Sequence, residues 1–205
     1  MGSPFKRLKE VYARTYSLDT GRDADFFDCV NDIYFSPEVQ SLKKYPQHDK
    51  MDRLQHITSV AYLTFRVCRH FGLDYRKAAR AATMHDLFYY DWHENDWSHR
   101  PHGYRHPKFA AANAKLLCGG LDRKSEMMII RHMWPLTPLP PTSPEGTTTG
   151  FTINLMPKSN VMKTEKFPIV VFGTTLATKL PTVVKQSTEI IMISPFRISR
   201  FLFFP

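Results

Sequence analysis

Two histidines and an aspartate stand at positions where a helical domain would normally place apolar residues. His56 shares one face of a predicted helix with Val60 and Leu63, and His85 follows an alanine-rich stretch, directly before Asp86. Each histidine taken alone is best explained as a hydrogen-bonded core residue, because an unsatisfied buried polar group costs about 1–3 kcal/mol. Asp86 beside His85 favours a bound cation, since a buried carboxylate needs a cation or a strong donor.

Three such ligands from two helices form a mixed nitrogen and oxygen site, which suits Mn, Fe, Co, Ni or Zn better than metals that prefer soft ligands. A metal of this kind polarises a phosphoryl oxygen and lowers the pKa of bound water to about 7. His106 and His132 lie further along the chain and could bind a second metal about 3.5–4 Å from the first. The expected cofactor is one or two divalent ions, with Mg included among the candidates.

The elements that position these residues are predicted to be helices. Apolar residues recur at three- and four-residue spacing through residues 1–140, and no alternating strand pattern interrupts them. Ser36-Pro37-Glu38, Asp74 and Asp122 are typical of helix starts, and glycines follow the apolar periods. The predicted helices cover residues 4–16, 23–34, 52–71, 74–85, 107–117 and 122–134, with another beginning at Pro37 and a loop over 90–106. Residues 1–140 are therefore predicted to form an all-α domain.

The composition of the chain changes at about residue 140. Residues 141–205 contain no Asp, His, Trp, Tyr or Cys, and they contain eleven threonines. Segments 167–172 and 189–193 are rich in β-branched residues, and no helix cap is evident. Residues 141–205 are thus predicted to be an atypical tail, irregular or partly β, outside the domain of residues 1–140. Disorder and a shifted reading frame are the alternative explanations.

Composition also limits the functional class. The net charge is +9, from 28 basic and 19 acidic residues, which would suit an anionic partner. No run of five basic residues occurs, so a basic solvated surface is favoured over a nucleic-acid-binding face. Three widely spaced cysteines and the lack of a long apolar stretch predict a cytoplasmic protein without a membrane partner.

Arginines offer candidate phosphate contacts. Arg105 and Arg131 adjoin the candidate ligands His106 and His132, and Arg53 is a weaker candidate. No Gly-x-Ser-x-Gly pattern or paired base indicates a nucleophilic serine, cysteine or threonine. We therefore expect Arg105 and Arg131 to bind the phosphate of a substrate.

The histidine pattern resembles the HD superfamily of metal-dependent phosphohydrolases, and within it a bacterial subgroup of largely uncharacterised proteins. The resemblance covers about residues 20–140 and is carried by His56, Met84-His85-Asp86-Leu87-Phe88, Gly103-Tyr104-Arg105-His106-Pro107 and Ile130-Arg131-His132-Met133-Trp134-Pro135. It implies a helical bundle that hydrolyses a phosphate ester or nucleotide. It further implies His56, His85 and Asp86 as ligands of one metal, His106 and His132 as ligands of a second, and catalytic roles for His85 and Asp86.

The chain departs from the family pattern at one ligand. HD proteins complete the first metal site with an aspartate on a helix that follows the region ending near Pro141. This chain has no aspartate after Asp122, and no helix is predicted where that residue should lie. Either a shifted frame or foreign extension replaces the last helices, or the chain is a diverged member with water, Glu145 or nothing in the fourth position.

The expected function is hydrolysis of a small phosphorylated substrate, such as a nucleotide, by a metal-bound hydroxide. Positively charged side chains would stabilise the equatorial oxygens of the phosphoryl group. Two alternatives come from other classes. One is a non-catalytic metal- or nucleotide-binding module with an incomplete site, and the other is a basic, helical nucleic-acid-associated protein.

Overall fold

A computed structural model describes residues 10–48 and 51–156, which are mainly helical. Strands β1 (Pro46–His48) and β2 (Met51–Asp52) form an antiparallel hairpin, and short 3-10 turns cover Ser41–Lys44 and Trp97–His99. The helices are α1 (residues 10–14), α2 (Ala24–Tyr34), α3 (Pro37–Gln40), α4 (Arg53–His70), α5 (Tyr75–Thr83), α6 (His102–Cys118), α7 (Arg123–Ile130) and α8 (Pro144–Leu155). The all-α prediction is confirmed for these residues, apart from the small hairpin.

Helix α4 lies at the centre of the fold, and nearly every turn of it is buried. It packs against α5 and α8, and α5 in turn packs against α2 and α7. Alanines make the contact between α4 and α5 close, since a side chain without a γ-atom lets two backbones approach. Ala61 on α4 and Ala78, Ala81 and Ala82 on α5 are at most 1% exposed. This close packing brings the carboxyl end of α5 to the amino end of α4.

Polar side chains cap the helices at the positions where the sequence predicts helix starts. Ser36 accepts a hydrogen bond from the backbone N–H of Val39, which satisfies one of the unpaired donors of the first turn of α3. Asp52, Asp74 and Asp122 cap α4, α5 and α7 in the same way. The predicted starts of these helices are correct within a residue or two.

The start of α6 differs from the prediction. The helix begins at His102, so the predicted loop over 90–106 is too long and Pro107 lies inside the helix. Proline lacks the N–H that would bond to the carbonyl of Gly103, which costs one helical hydrogen bond. Side-chain contacts hold this turn instead, because the His106 imidazole bonds the His102 carbonyl and the Tyr90 hydroxyl lies 3.1 Å from the His102 ring. His106 is therefore a helical residue.

The prediction of an irregular or partly β tail is wrong for residues 144–155, which form α8. The Ser143 side chain caps this helix, and Pro144 occupies its first turn, as in the Ser36-Pro37 pair. Gly150 lies against the backbone of His132, since a Cβ at Gly150 would be 3.5 Å from the His132 carbonyl. Residues 157–205, with the predicted strands 167–172 and 189–193, lie outside the described residues. A domain boundary at about residue 140 stays a prediction.

The composition arguments can be compared with the described residues. None of the helices in residues 10–48 and 51–156 has both the length and the apolar character needed to cross a bilayer. Cys29, Cys68 and Cys118 are free thiols, and the first two are buried. Cys29 and Cys68 thus serve as packing residues of the core.

Docking of α8 on α4 predicts a measurable stability effect. The Thr152 hydroxyl donates to the Thr149 carbonyl, so the buried Thr64 hydroxyl, 2.8 Å from that of Thr152, donates to Thr152. Thr152→Val leaves this buried donor without a partner and should lower the free energy of unfolding by about 1–3 kcal/mol. Denaturant unfolding measures the change.

Thr147→Val is the matched control, because Thr147 lies on the same helix and its hydroxyl donates to the Ser143 carbonyl of its own first turn. The same chemical change there should alter stability by less than about 0.5 kcal/mol. Equal effects of the two substitutions would contradict the docking of α8 against α4.

Candidate metal centre

Five predicted ligands converge at one buried point. His56 comes from the first turn of α4, His85 and Asp86 follow the end of α5, His106 lies on α6, and His132 follows the end of α7. Each of the five residues is at most 3% exposed. Residues separated by up to 76 positions in the chain thus meet in a single cluster, because the packed helices direct their ends toward the same place.

One group of ligands surrounds Oδ2 of Asp86. The Nε2 atom of His56 lies 3.7 Å from this oxygen, and the Nε2 atom of His85 lies 3.5 Å from it. The two nitrogens are 3.3 Å apart. This geometry places two imidazole nitrogens and one carboxylate oxygen around a common point, and the group could hold a metal ion.

A second group surrounds Oδ1 of the same carboxylate. The Nε2 atoms of His106 and His132 lie 3.2 and 3.6 Å from this oxygen and only 2.9 Å from each other. These three side chains could likewise hold a metal ion. Asp86 belongs to both groups and presents a different oxygen to each, so its carboxylate could contribute to two metal ions.

Backbone carbonyls fix the orientation of three imidazoles. Nδ1 of His85 lies 2.8 Å from the Ala82 carbonyl, and Nδ1 of His132 lies 2.7 Å from the Ile129 carbonyl, each three residues back at a helix end. Nδ1 of His106 lies 2.9 Å from a carbonyl one turn earlier in α6. A carbonyl can only accept, so Nδ1 carries the hydrogen and the neutral ring directs the lone pair of Nε2 into the cluster.

The Nε2 atoms of His106 and His132 face each other, and their lone pairs indicate whether a cation fits the cluster. With Nδ1 protonated in both His106 and His132, their Nε2 lone pairs would point at each other across 2.9 Å, which is repulsive. A cation bound at this place would remove the repulsion. Among the residues that the structure describes, no donor bonds Asp86 Oδ1, a buried atom at the same place. Both observations fit a metal ion.

Burial sets the charge state of the ligands. It lowers the pKa of His56 to about 3, and it also lowers the pKa of His85 and holds that of His132 well below its usual value. Neutral imidazoles around an ionised carboxylate are the form in which these side chains bind divalent metals.

Gln47 and Arg53 lie behind Asp86 and complete the centre. The sequence gives no signal for Gln47. Gln47 donates from Nε2 to Asp86 Oδ2 across 3.0 Å, and its Oε1 accepts from Nε of Arg53. Arg53 is fully buried and also donates to the carbonyls of Phe88 and Tyr90. Its guanidinium is thus committed to the protein interior, so Arg53 does not face a substrate phosphate.

The remaining predicted site residues lie outside the cluster. Arg105 donates to the Arg100 carbonyl across 3.4 Å, and Arg131 donates to the Pro140 carbonyl across 2.9 Å. Binding of a substrate phosphate by these two arginines stays a prediction. Glu145 does not supply a fourth ligand, because its carboxylate pairs with Lys124 at 2.7 Å and accepts from the backbone of Asp74, at the opposite end of α5 from His85.

Comparison with known proteins adds no relative to this description. No protein-family model matches the chain, and no curated protein or solved structure matches it. The case for a metal centre therefore rests on the positions and chemistry of its own five side chains.

Acidification should destabilise the metal-free protein. An unfolded histidine has a pKa of about 6.5, whereas burial lowers that of His56 to about 3, so the unfolded state binds the extra proton between these values. The stability that neutral His56 contributes is complete above about pH 6.5 and is lost as the pH falls toward the folded value. We expect a loss of about 2 kcal/mol from this group between about pH 6.5 and 5.

Denaturant unfolding of chelator-treated protein at several pH values measures this loss. His56→Gln should make the pH dependence shallower, because one buried imidazole is removed. His70→Gln is the matched control with which this slope is compared, since His70 is an exposed histidine at the other end of the same helix. The account of His56 is wrong if both variants retain the slope of the unaltered protein.

Proposed function

We propose that this protein is a metal-dependent phosphohydrolase with an HD-type helical domain and a two-metal centre. The observation that carries the proposal is the position of the Asp86 carboxylate, which directs Oδ2 toward His56 and His85 and Oδ1 toward His106 and His132. Paired metal ions that share a ligand are typical of enzymes that displace a leaving group from phosphorus. The resemblance to HD phosphohydrolases, carried by the same five residues, supports this class.

The ligand chemistry narrows the choice of metal. Four imidazoles and one carboxylate make a nitrogen-rich set, which suits Mn, Fe, Co, Ni or Zn. Mg is the least suited of the candidates, because it prefers oxygen ligands and retains several waters. Such a divalent ion supplies a nucleophile at neutral pH by lowering the pKa of bound water to about 7, and it polarises the phosphoryl oxygen.

The chain's own residues hold and orient the reaction site. Backbone carbonyls hold His85, His106 and His132 in the tautomer that exposes Nε2. Burial of all five ligands excludes competing water from their inner faces, and it lowers the pKa of His56, His85 and His132. The net charge of +9 favours the approach of anionic compounds, which supports a small phosphorylated substrate, a nucleotide among them.

A non-catalytic metal-binding module is the second candidate, and the composition of α8 favours it. The only acidic residue of this helix is Glu145, which is paired with Lys124 away from the centre. The first metal group therefore has two imidazoles and one carboxylate without a further protein ligand from α8. A protein with this site could bind metal and a phosphorylated ligand without hydrolysing it.

Metal reconstitution separates the two candidates. Chelator-treated protein is loaded with Mn, Fe, Co, Ni, Zn or Mg in turn and assayed on generic phosphomonoesters, phosphodiesters and nucleotides. We expect hydrolysis that requires one of the transition metals and falls at least about 100-fold in His85→Ala, because the variant loses a ligand that orients the centre. The exposed His70→Ala variant should retain full activity.

Two results would contradict the enzymatic proposal. Activity that survives in His85→Ala or in the presence of a chelator would not come from this centre. Metal bound in stoichiometric amounts without turnover of any phosphoester would favour the non-catalytic module.

A further inference from the structure

We infer that Gln47 and Arg53 act as positioning residues that make Asp86 bridge the two histidine pairs instead of chelating one metal with both oxygens. This inference rests on the proposed two-metal centre and concerns how the chain builds it. Three observations carry it: the hydrogen bond to one oxygen of Asp86, the anchoring of the amide that makes this bond, and the anchoring of the backbone after Asp86.

The first observation is the asymmetry of the contacts to the carboxylate. Gln47 Nε2 lies 3.0 Å from Oδ2 of Asp86 and donates to it, while Oδ1 receives no hydrogen bond from residues 10–48 and 51–156. A carboxylate held by a donor on one oxygen cannot rotate about its terminal torsion without breaking that bond. Oδ2 is thereby kept on the side of His56 and His85, and Oδ1 is left free for His106 and His132.

The second observation is that the Gln47 amide can adopt only one orientation. Its Oε1 accepts from Nε of Arg53 at 3.0 Å, and a guanidinium has no acceptor, so the amide nitrogen must face Asp86. Gln47 is 7% exposed and Arg53 is fully buried, so water has little access to this chain of bonds. The guanidinium thus fixes the amide, and the amide fixes the carboxylate.

The third observation is that Arg53 also holds the backbone that follows Asp86. It donates to the carbonyls of Phe88 and Tyr90 at 2.7 and 3.1 Å, and its guanidinium carbon lies 3.6 Å from the centroid of the Phe88 ring. These contacts need a planar group with several donors in fixed directions, which a lysine ammonium does not have. One arginine therefore controls both the backbone and the side chain of the bridging residue.

The neutral amide between the two charges has a chemical consequence. A direct contact between Arg53 and Asp86 would neutralise the carboxylate and compete with metal ions for its oxygens. Gln47 transmits the orientation without a direct ion pair, so Asp86 keeps its negative charge for the metals. Loss of the amide donor should weaken the binding of the second ion more than that of the first, since a carboxylate that chelates one ion cannot reach the other.

Manganese binding to the full chain tests the inference. Chelator-treated protein is titrated with Mn²⁺, and electron paramagnetic resonance reports free, isolated and exchange-coupled ions. The unaltered protein should bind two ions with a coupled signal. Gln47→Met, which keeps the side-chain volume and removes the donor, should retain the first ion, bind the second about 10–100-fold more weakly and lose the coupled signal.

Two further variants complete the design. Arg53→Lys keeps the positive charge but not the fork of donors. It should show the same selective loss of the second ion, and it replaces Gln47→Met in the test if that variant does not fold. Gln40→Leu is the matched control, because the Gln40 amide donates to the Tyr34 carbonyl away from the centre. It should bind both ions as the unaltered protein does.

The outcomes distinguish this inference from the proposed function. An unaltered protein that binds no Mn²⁺ overturns the metal centre itself and the inference with it. An unaltered protein with two coupled ions, together with Gln47→Met and Arg53→Lys variants that bind both ions equally well, overturns the inference alone. Equal weakening of both ions in the variants would assign Gln47 and Arg53 a general structural role and also overturn it.

Discussion

One buried negative charge, the carboxylate of Asp86, constrains the whole arrangement. Asp86 is 3% exposed, and its carboxylate lies among four imidazoles, three of which use their Nδ1 hydrogen on a backbone carbonyl. A buried carboxylate requires a cation or several donors, because its desolvation is otherwise too costly. Burial lowers the pKa of His56, His85 and His132, and Gln47 donates one hydrogen bond to the carboxylate. A divalent ion on each side of the carboxylate would compensate the charge and satisfy the facing nitrogens.

The helices are arranged so that their ends meet at this charge. Alanines at the α4–α5 contact allow the close approach that brings His56 within reach of His85. His85 and His132 each follow a helix end, and each donates to a carbonyl that the helix leaves without an intrahelical partner. The same hydrogen bond therefore terminates a helix and selects the tautomer that binds metal. Helix geometry and ligand chemistry are coupled in these two residues.

Much of the centre is predictable from the sequence, because its ligands interrupt regular apolar patterns. His56 stands on an apolar helix face, and His85 and Asp86 follow an alanine-rich period. Helix starts marked by Ser36, Asp74 and Asp122 are equally readable, since the capping side chain and the first turn are neighbours in the chain. These features depend on local spacing, which the sequence contains.

Features that depend on distant contacts or on competing local signals are not predictable in this way. Gln47 bonds Asp86 across 39 positions from a short hairpin, and nothing in its local sequence marks it. Pro107 is typical of a helix start. Contacts of His102 and His106, however, extend α6 toward the amino terminus, so that the helix begins five residues before Pro107. Ser143-Pro144 is typical of a helix start, yet the unusual composition after residue 140 argues against a helix there.

Anomalous diffraction from crystals of the Mn-loaded protein tests the central claim most directly. The account predicts two peaks about 3.5–4 Å apart, one bound by His56, His85 and Oδ2 of Asp86 and the other by His106, His132 and Oδ1. A protein that shows no peak at Asp86, or metal only at exposed histidines, would contradict it.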